Sequence, residues 1–265
     1  MKLSVSNIAW REEQDEEVFA WMKEYGYAGL EIAPTRIFPE NPYDHLEEAE
    51  SWSRELKSTY GFSIPSMQSI WFGRQENIFG SQQERKTLIH YTKKAIDFAA
   101  AVKCTNLVFG CPRNRNLPQG ADPGIAIPFF KELGDYADQK GTVLGIEANP
   151  PIYHTNYIND TQSALDLIKA VNSKGFLLNL DTGTMIQNRE HVEALAGNVR
   201  FINHVHISEP GLKPIEERKL HQELYKLLTE EEYQNYISIE MGKTDDCSII
   251  DETLQYIKQV FNHKQ

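Results

Sequence analysis

The sequence predicts a closed (β/α)8 barrel, the TIM barrel of the α/β class, as a single domain over residues 1–265. Two observations predict it: eight short apolar runs alternate with longer amphipathic stretches, and the chain length suits one barrel. Strands that alternate with helices imply parallel βαβ units, which bury both faces of the sheet. A doubly wound sheet is the alternative, but it usually has a glycine-rich turn that the segment SNIAWREEQ lacks.

The eight runs have the length of β-strands and are bounded by polar residues, glycine or proline. Three long loops, 33–45, 69–80 and 110–125, each follow a run, so they are expected at the end of the barrel where sites are built. The runs are KLSVS (2–6), AGLEIA (28–33), FSIPSMQ (62–68), TNLVFG (105–110), VLGIEA (143–148), FLLNLD (176–181), RFINHVHI (200–207) and YISIEM (236–241).

The stretches between the runs have apolar residues at helical spacing. A capping box of Ser81 and Glu84 is expected to open the third long helix, and Thr229 with Glu232 predicts a second box before the last strand. The clearest apolar stripes are Val18, Trp21, Met22 and Tyr25; Leu88, Tyr91, Ala95 and Phe98; and Ile250, Leu254, Ile257 and Phe261.

Composition and charge restrict the classes of function. The chain is 40% hydrophobic and 25% charged, which indicates a globular protein rather than a disordered one. The net charge of −11 and the lack of a basic run argue against nucleic acid as a partner. Because there is no long apolar stretch and no apolar signal-peptide region, we expect no membrane partner and a cytoplasmic location. The three cysteines do not resemble a disulfide framework.

Four polar residues end the last four apolar runs, and successive members are about one βα unit apart: Glu147, Asp181, His206 and Glu240. Strand ends one unit apart are neighbours around a barrel, so the four side chains are expected to converge. A carboxylate at the end of an apolar strand is costly to desolvate, and a divalent cation would relieve the repulsion among three of them. Three oxygen donors and one imidazole suit Mn²⁺, Mg²⁺ or Co²⁺ better than a structural Zn²⁺ site.

The same four residues suggest a reaction. A metal ion can hold a carbonyl and an adjacent hydroxyl of a sugar, which lowers the pKa of the C–H bond between them. Two carboxylates on opposite sides could then move the proton. We expect His206 to be the ligand, with His204 packed behind the barrel.

Further polar residues are candidates for contact with a polyol substrate. Glu31 ends the second run, where it either contacts substrate or forms a structural ion pair. The candidates in the loops at the barrel rim are Gln68, Trp71, Asn149, His154 and Lys213.

The segments IEANPPIY, NLDTGT, HVHISEP and SIEM, with SNIAW and GLEIAPTRI, resemble the sugar phosphate isomerase/epimerase superfamily of the xylose-isomerase-like TIM-barrel type. The resemblance covers essentially the whole chain. It implies one divalent metal ion held by Glu147, Asp181, His206 and Glu240, for which we expect Mn²⁺, with Mg²⁺, Co²⁺ and Zn²⁺ as alternatives. It also implies that Glu147 and Glu240 form the catalytic acid/base pair.

The sequence departs from the family pattern at two positions near the predicted substrate. The family often has a substrate-contacting His where this chain has Thr184, and an Arg close to the position of Lys213. We expect the smaller Thr184 to line the pocket and to leave space beside the reacting carbon, which could admit a glycoside or a cyclitol ring.

These expectations define a metal-dependent isomerase or epimerase of a sugar, sugar phosphate or related polyol ketone that works through a cis-enediolate. A lyase or dehydratase acting on a keto-sugar or cyclitol at the same site is the alternative. An endonuclease IV-like enzyme would need several more His ligands and a basic face, and a sugar-binding protein without catalysis would exchange no substrate protons. The expected partner is a small carbohydrate, and the sequence leaves association into a homo-oligomer open.

Overall fold

Seven parallel strands form one curled sheet in the computed structural model, which describes residues 1–261. Each strand lies within one of the predicted apolar runs, so the predicted alternation of strands and helices is confirmed for these seven. The strands are β1 (Lys2–Ser6), β2 (Gly29–Glu31), β3 (Leu107–Phe109), β4 (Leu144–Ile146), β5 (Phe176–Asp181), β6 (Ile202–Ile207) and β7 (Tyr236–Ile239). Their order across the sheet is β2-β1-β7-β6-β5-β4-β3.

The third predicted strand, residues 62–68, is not a strand in the structure but a segment with isolated bridges. Pro65 lies inside it and has no N–H to donate, which interrupts a regular ladder. The fold is therefore TIM-barrel-like, with seven strands in place of the eight expected. The bridges join Ser63 to Gly29, and Met67 to both Ile32 and Leu107.

The α-helices of residues 1–261 follow the strands and cover the outside of the sheet. The three predicted apolar stripes fall within α1, α4 and α9 of the following set. The helices are α1 (Asp15–Tyr25), α2 (Pro34–Ile37), α3 (Leu46–Tyr60), α4 (Gln82–Ala101), α5 (Ala126–Gln139), α6 (Thr161–Val171), α7 (Thr182–Asn188), α8 (Lys219–Glu230) and α9 (Cys247–Phe261). None of these helices combines the length and the hydropathy that crossing a membrane requires.

The two predicted capping boxes differ in outcome. Ser81 caps α4: its Oγ accepts from the Glu84 N–H at 3.2 Å, and Glu84 Oε2 accepts from the Ser81 N–H at 2.8 Å. The box at Thr229 is wrong, because Thr229 lies inside α8 and donates its hydroxyl to the carbonyl of Tyr225. Glu232 then takes a left-handed φ of 57° after the helix has ended.

Below the strand ends, the interior of the sheet is polar. Asn106 of the loop before β3 donates to Asn179 Oδ1 of β5 at 3.2 Å, and both residues are fully buried. On β7, Ser238 Oγ lies 2.9 Å from His204 Nε2. Since buried polar groups need partners, this network fixes the orientation of side chains directly beneath the predicted site.

Candidate metal centre

The sheet register brings the four predicted ligands to one point. Glu147 follows β4, Asp181 ends β5, His206 is next to last in β6 and Glu240 follows β7. These strands are adjacent, and Asp181 pairs directly with His206 across β5 and β6. Three carboxylate oxygens and one imidazole nitrogen from the four side chains lie within 4.8 Å of one another.

The donor set fits a divalent metal ion. His206 Nδ1 lies 3.1 Å from Glu147 Oε1 and 3.1 Å from Glu240 Oε2, so its ring faces the two carboxylates. Three carboxylates and one nitrogen match the oxygen-rich sites of Mn²⁺ and Mg²⁺, and a divalent ion would offset the repulsion among the carboxylates.

The crowding of charge shifts the pKa values of the ligands. Burial, with the nearby Glu147 and Glu240, raises the pKa of Asp181 to about 7. Burial also raises the pKa of Glu240, against the opposing effect of His206. Burial lowers the pKa of His206, but the carboxylates of Glu240 and Glu31 outweigh it and raise the pKa well above its usual value. Metal binding at such a site must release protons.

Glu31 binds the second ring nitrogen of His206 instead of facing the cleft. Its Oε2 accepts from His206 Nε2 at 2.8 Å and lies 3.2 Å from His204 Nε2, and the side chain is 0% exposed. Of the two readings of Glu31, the structure therefore favours the ion pair over substrate contact. A ligating histidine typically donates its other N–H to a carboxylate, which fixes its tautomer and orientation. Here this contact leaves Nδ1 facing Glu147 and Glu240.

The expectation that His204 packs behind the barrel is wrong. Side chains two residues apart on a strand point to the same face, so His204 and His206 both face the interior. His204 lies deeper than His206, where it contacts Glu31 and Ser238. Burial lowers the pKa of His204, which favours its neutral form.

Glu147 is held by contacts that the sequence did not predict. Asn179 donates to its Oε1 at 2.9 Å, and Asn149 donates to its Oε2 at 3.0 Å. The fully buried Arg115 donates to the Glu147 carbonyl and to Asn149 Oδ1, both at 2.7 Å. Asn179 could have been found as the residue two before Asp181 on the same face of β5, whereas no pattern marked Arg115 as buried.

Asp181 is both a predicted ligand and the N-cap of α7. Its Oδ1 accepts from the Thr184 N–H and its Oδ2 accepts from Ser208 Oγ, each at 2.5 Å. Thr184 is 1% exposed and donates its hydroxyl to the Ala148 carbonyl at 2.7 Å. This bond keeps the Thr184 side chain in the wall behind the cleft, so it does not form the open space expected beside the reacting carbon.

A cleft of about 170 Å³ opens over three of the four predicted ligands, Glu147, Asp181 and Glu240. Of the residues expected to contact substrate, Gln68 and Asn149 line it, together with Tyr153, which the sequence analysis did not single out. The complete lining is Gln68, Ser69, Val108, Gly110, Cys111, Pro112, Glu147, Asn149, Tyr153, Asp181, Ser208, Leu212 and Glu240.

Three other rim candidates lie outside the cleft wall. Trp71 is buried in the core, where its Nε1 donates to Thr92 Oγ1 at 2.8 Å and its ring packs edge-on against Phe109. His154 and Lys213 are exposed in the loops after β4 and β6. The structure thus brings the four predicted ligands together but does not bring these three side chains to them.

Comparison with known proteins assigns the family. The model for the xylose isomerase-like TIM barrel matches residues 19–260, which is most of the chain. The chain belongs to this family. The family resemblance expected from the sequence motifs is thereby confirmed. A search of curated proteins gives no match to this chain.

Solved structures share the fold of this chain over nearly its whole length. The apo 3-keto-D-glucoside 4-epimerase YcjR from E. coli is 20% identical with a TM-score of 0.77, covering 98% of this chain and 99% of that one. The D-psicose 3-epimerase with D-tagatose from Clostridium cellulolyticum H10 is 15% identical with a TM-score of 0.77, at the same coverage. The IolI protein with a zinc atom is 16% identical with a TM-score of 0.73, covering 98% and 96%. At these identities the similarity shows a common fold.

Proposed function

We propose that this protein is a divalent-metal-dependent isomerase or epimerase of a sugar or related polyol ketone. The observation that carries the proposal is the set of four donor atoms within 4.8 Å at adjacent strand ends, with the three carboxylate residues lining a cleft. Two of the similar structures are epimerases of a keto-glucoside and of psicose, which supports the same class of substrate here.

The proposed metal ligands are Glu147, Asp181, His206 and Glu240, with Mn²⁺ as the preferred ion and Mg²⁺, Co²⁺ or Zn²⁺ as alternatives. The zinc atom in the similar IolI structure supports a divalent ion in a protein of this fold without selecting which ion. A bound ion would polarise the substrate carbonyl and an adjacent hydroxyl and so acidify the C–H bond between them.

The proposed proton carriers are Glu147 and Glu240. They follow β4 and β7, which have β5 and β6 between them, so the two carboxylates approach the centre from different sides. One carboxylate takes the proton from the carbon next to the carbonyl and keeps it. The other carboxyl group gives its proton to the opposite face of that carbon, which inverts the configuration.

Neighbouring side chains orient these groups. Asn179 and Asn149 each donate to one oxygen of Glu147, which limits the rotation of its carboxylate. Ser208 does the same for Asp181. Such fixed geometry matters because reacting atoms must be held in near-attack positions for efficient proton transfer.

Proton exchange with solvent tests the proposal most simply. Ketoses, inososes and keto-glycosides are incubated in D₂O with the protein and Mn²⁺ and followed by proton NMR. We expect deuterium at the carbon next to the carbonyl and the appearance of an epimer or isomer. Glu240→Gln is the matched control, because it keeps the size of the side chain and removes its acid/base function.

The outcomes separate the rival functions. An unsaturated or dehydrated product would assign the lyase chemistry to the same residues. A complete lack of exchange in the presence of each candidate metal, with sugar binding retained, would contradict catalysis and leave a sugar-binding protein.

A further inference from the structure

The proposed function leaves the charge of the substrate open, and the charges around the cleft bear on it. We infer that the substrate is an uncharged polyhydroxy ketone that has neither a phosphate nor a carboxylate group. The inference rests on the proposed function and narrows it. It comes from the charged and hydrogen-bonding groups that the cleft wall offers.

The cleft wall is acidic. The carboxylates of Glu147, Asp181 and Glu240 line it, and none of the described residues that line it is Lys, Arg or His. Even with a divalent ion bound, the wall would carry no net positive charge. A phosphate dianion placed beside these carboxylates would be repelled and would lose its hydration without gaining a cationic side chain as a partner, which is far more costly than burying a hydroxyl.

Cations close to the cleft are either enclosed or outside its wall. Arg115 is 0% exposed, and its guanidinium donates to the Glu147 carbonyl and to Asn149, so a ligand in the cleft cannot reach it. Lys213 and Lys243, in the loops after β6 and β7, are exposed and do not belong to the wall. Within residues 1–261, the cleft thus presents no cationic donor to a phosphate.

The helix N-terminus at the cleft is also occupied. Free N–H groups at such a terminus often bind phosphate in proteins with parallel sheets. At the start of α7, however, the Thr184 N–H donates to Asp181 Oδ1 and the Gly183 N–H donates to Ser208 Oγ at 2.8 Å. The negative charge that this helix end would attract is already supplied by Asp181.

Neutral polar groups in the wall suit hydroxyl groups. Gln68, Asn149, Tyr153 and Ser208 bring amide and hydroxyl groups to the wall without a net charge. The Tyr153 hydroxyl accepts from the Gly211 N–H at 2.9 Å, so its own proton is free to be donated across the cleft. A sugar can pair its hydroxyls with these groups and remain uncharged.

Matched pairs of substrates test the inference. D-fructose is compared with D-fructose 6-phosphate, and D-ribulose with D-ribulose 5-phosphate, using the Mn²⁺-loaded protein in D₂O. Exchange is measured as kcat/KM by NMR, and binding is measured separately by the ligand-induced shift in melting temperature. We expect the neutral member of each pair to be preferred by at least about 10-fold, because the phosphate leaves a buried charge without partners.

A charge introduced into the wall provides the complementary test. Leu212 lines the cleft, so Leu212→Lys places a cation there, and Leu212→Met is the uncharged control. The ratio of phosphorylated to neutral exchange should rise at least about 10-fold in Leu212→Lys relative to Leu212→Met, through one new charge-assisted pair.

The results distinguish this inference from the proposed function. Equal or faster exchange of the phosphorylated sugars would overturn the inference and leave the proposed function intact. The inference would also be overturned if the wild type preferred the phosphorylated sugars and Lys213→Ala or Lys243→Ala removed that preference, since those lysines would then reach the substrate. No exchange of any neutral or phosphorylated sugar, including inososes and keto-glycosides, would contradict the proposed function and the inference with it.

Discussion

His206 donates from Nε2 to Glu31 Oε2 at 2.8 Å, beneath the point where its Nδ1 faces Glu147 and Glu240. This contact makes Glu31 a positioning residue for the proposed metal ligand. It also means that one ring nitrogen of His206 faces the proposed metal site and the other faces the interior of the sheet. The orientation of the centre therefore depends on a carboxylate that no ligand in the cleft can touch.

Glu31→Gln should weaken Mn²⁺ binding by about 10–100-fold, the usual effect of losing the carboxylate partner of a ligating histidine. The variant keeps the shape of the side chain but removes its negative charge. Isothermal titration calorimetry with MnCl₂ measures the effect, and Glu47→Gln on the exposed surface of α3 is the control. Unchanged affinity in Glu31→Gln would show that Glu31 does not position His206.

The stoichiometry of the same titration is informative. Glu31, His204 and His206 also bring three donor atoms within 4.8 Å of one another. We expect one ion per chain, because Glu31 Oε2 already accepts hydrogen bonds in this arrangement. Two ions per chain would mean that Glu31 and His204 are themselves ligands.

Glu147→Gln and Glu240→Gln should each lower the exchange rate by about 10²–10⁴-fold, as expected for general acid–base groups. Each substitution retains an oxygen that can bind metal, so bound metal should be measured in the same samples. A variant that retains both its metal and full activity would exclude that residue as a proton carrier.

Asp181→Asn should raise the melting temperature of the metal-free protein and lower that of the metal-loaded protein. The pKa of Asp181 is raised to about 7, so the folded state retains a proton that the unfolded state has lost. The contribution of Asp181 to the free energy of unfolding is therefore complete below the ordinary pKa of about 3.9 and is lost as the pH rises through about 7. In EDTA at pH 8, the variant should therefore melt above the wild type.

Addition of Mn²⁺ should reverse this order. A ligand that binds only the folded state stabilises it by mass action, and the variant lacks one ligand. We expect Mn²⁺ to raise the melting temperature of the wild type and to have little effect on Asp181→Asn. An equal rise in both proteins would place the metal elsewhere.

Arg115→Lys should reduce the free energy of unfolding by about 1–3 kcal/mol, since one ammonium group cannot serve both the Glu147 carbonyl and Asn149 Oδ1. Proton exchange should also slow, because Asn149 would no longer hold the Glu147 carboxylate. Urea unfolding and NMR exchange measure the two effects. Arg113→Lys, at an exposed position of the same loop, is the control and should change stability by less than about 0.5 kcal/mol.

The burial of His221 should make the protein less stable in acid. Burial, assisted by Arg218, lowers the pKa of His221 to about 4, whereas the unfolded value is about 6.5. As the pH falls, the unfolded state binds the proton before the folded state does. The contribution of His221 to the free energy of unfolding is therefore complete above pH 6.5 and is lost as the pH falls to about 4. His221→Gln should show a smaller fall in the free energy of unfolding over that range, measured in EDTA. An exposed control, His90→Gln, should behave as the wild type.

The strands and the proposed ligands could be predicted because both follow from local pattern. Glu147, Asp181, His206 and Glu240 each end an apolar run, and in parallel strands such ends meet at one edge. The prediction of a strand over the third run, residues 62–68, was wrong for a local reason as well, since Pro65 interrupts its pairing. The position of His204 could also be predicted, because side chains two residues apart on a strand point to the same face.

The supporting contacts could not be predicted because they depend on distances between segments far apart in the chain. Glu31 and His206 are neighbours only once the sheet has curled, and nothing in the loop sequence around Arg115 indicates that its guanidinium is enclosed. Thr184 and Trp71 lie near the site in sequence, but hydrogen bonds to Ala148 and Thr92 direct them into the protein. Loop positions alone therefore overstate the number of side chains that face a cleft.

The position of the metal is the central claim, and an anomalous difference map from crystals soaked in MnCl₂ tests it most directly. We predict a single peak within coordination distance of carboxylate oxygens of Glu147, Asp181 and Glu240 and of His206 Nδ1. A peak bound by His206 Nε2 with Glu31 and His204, or the lack of any peak among the four side chains, would contradict the account.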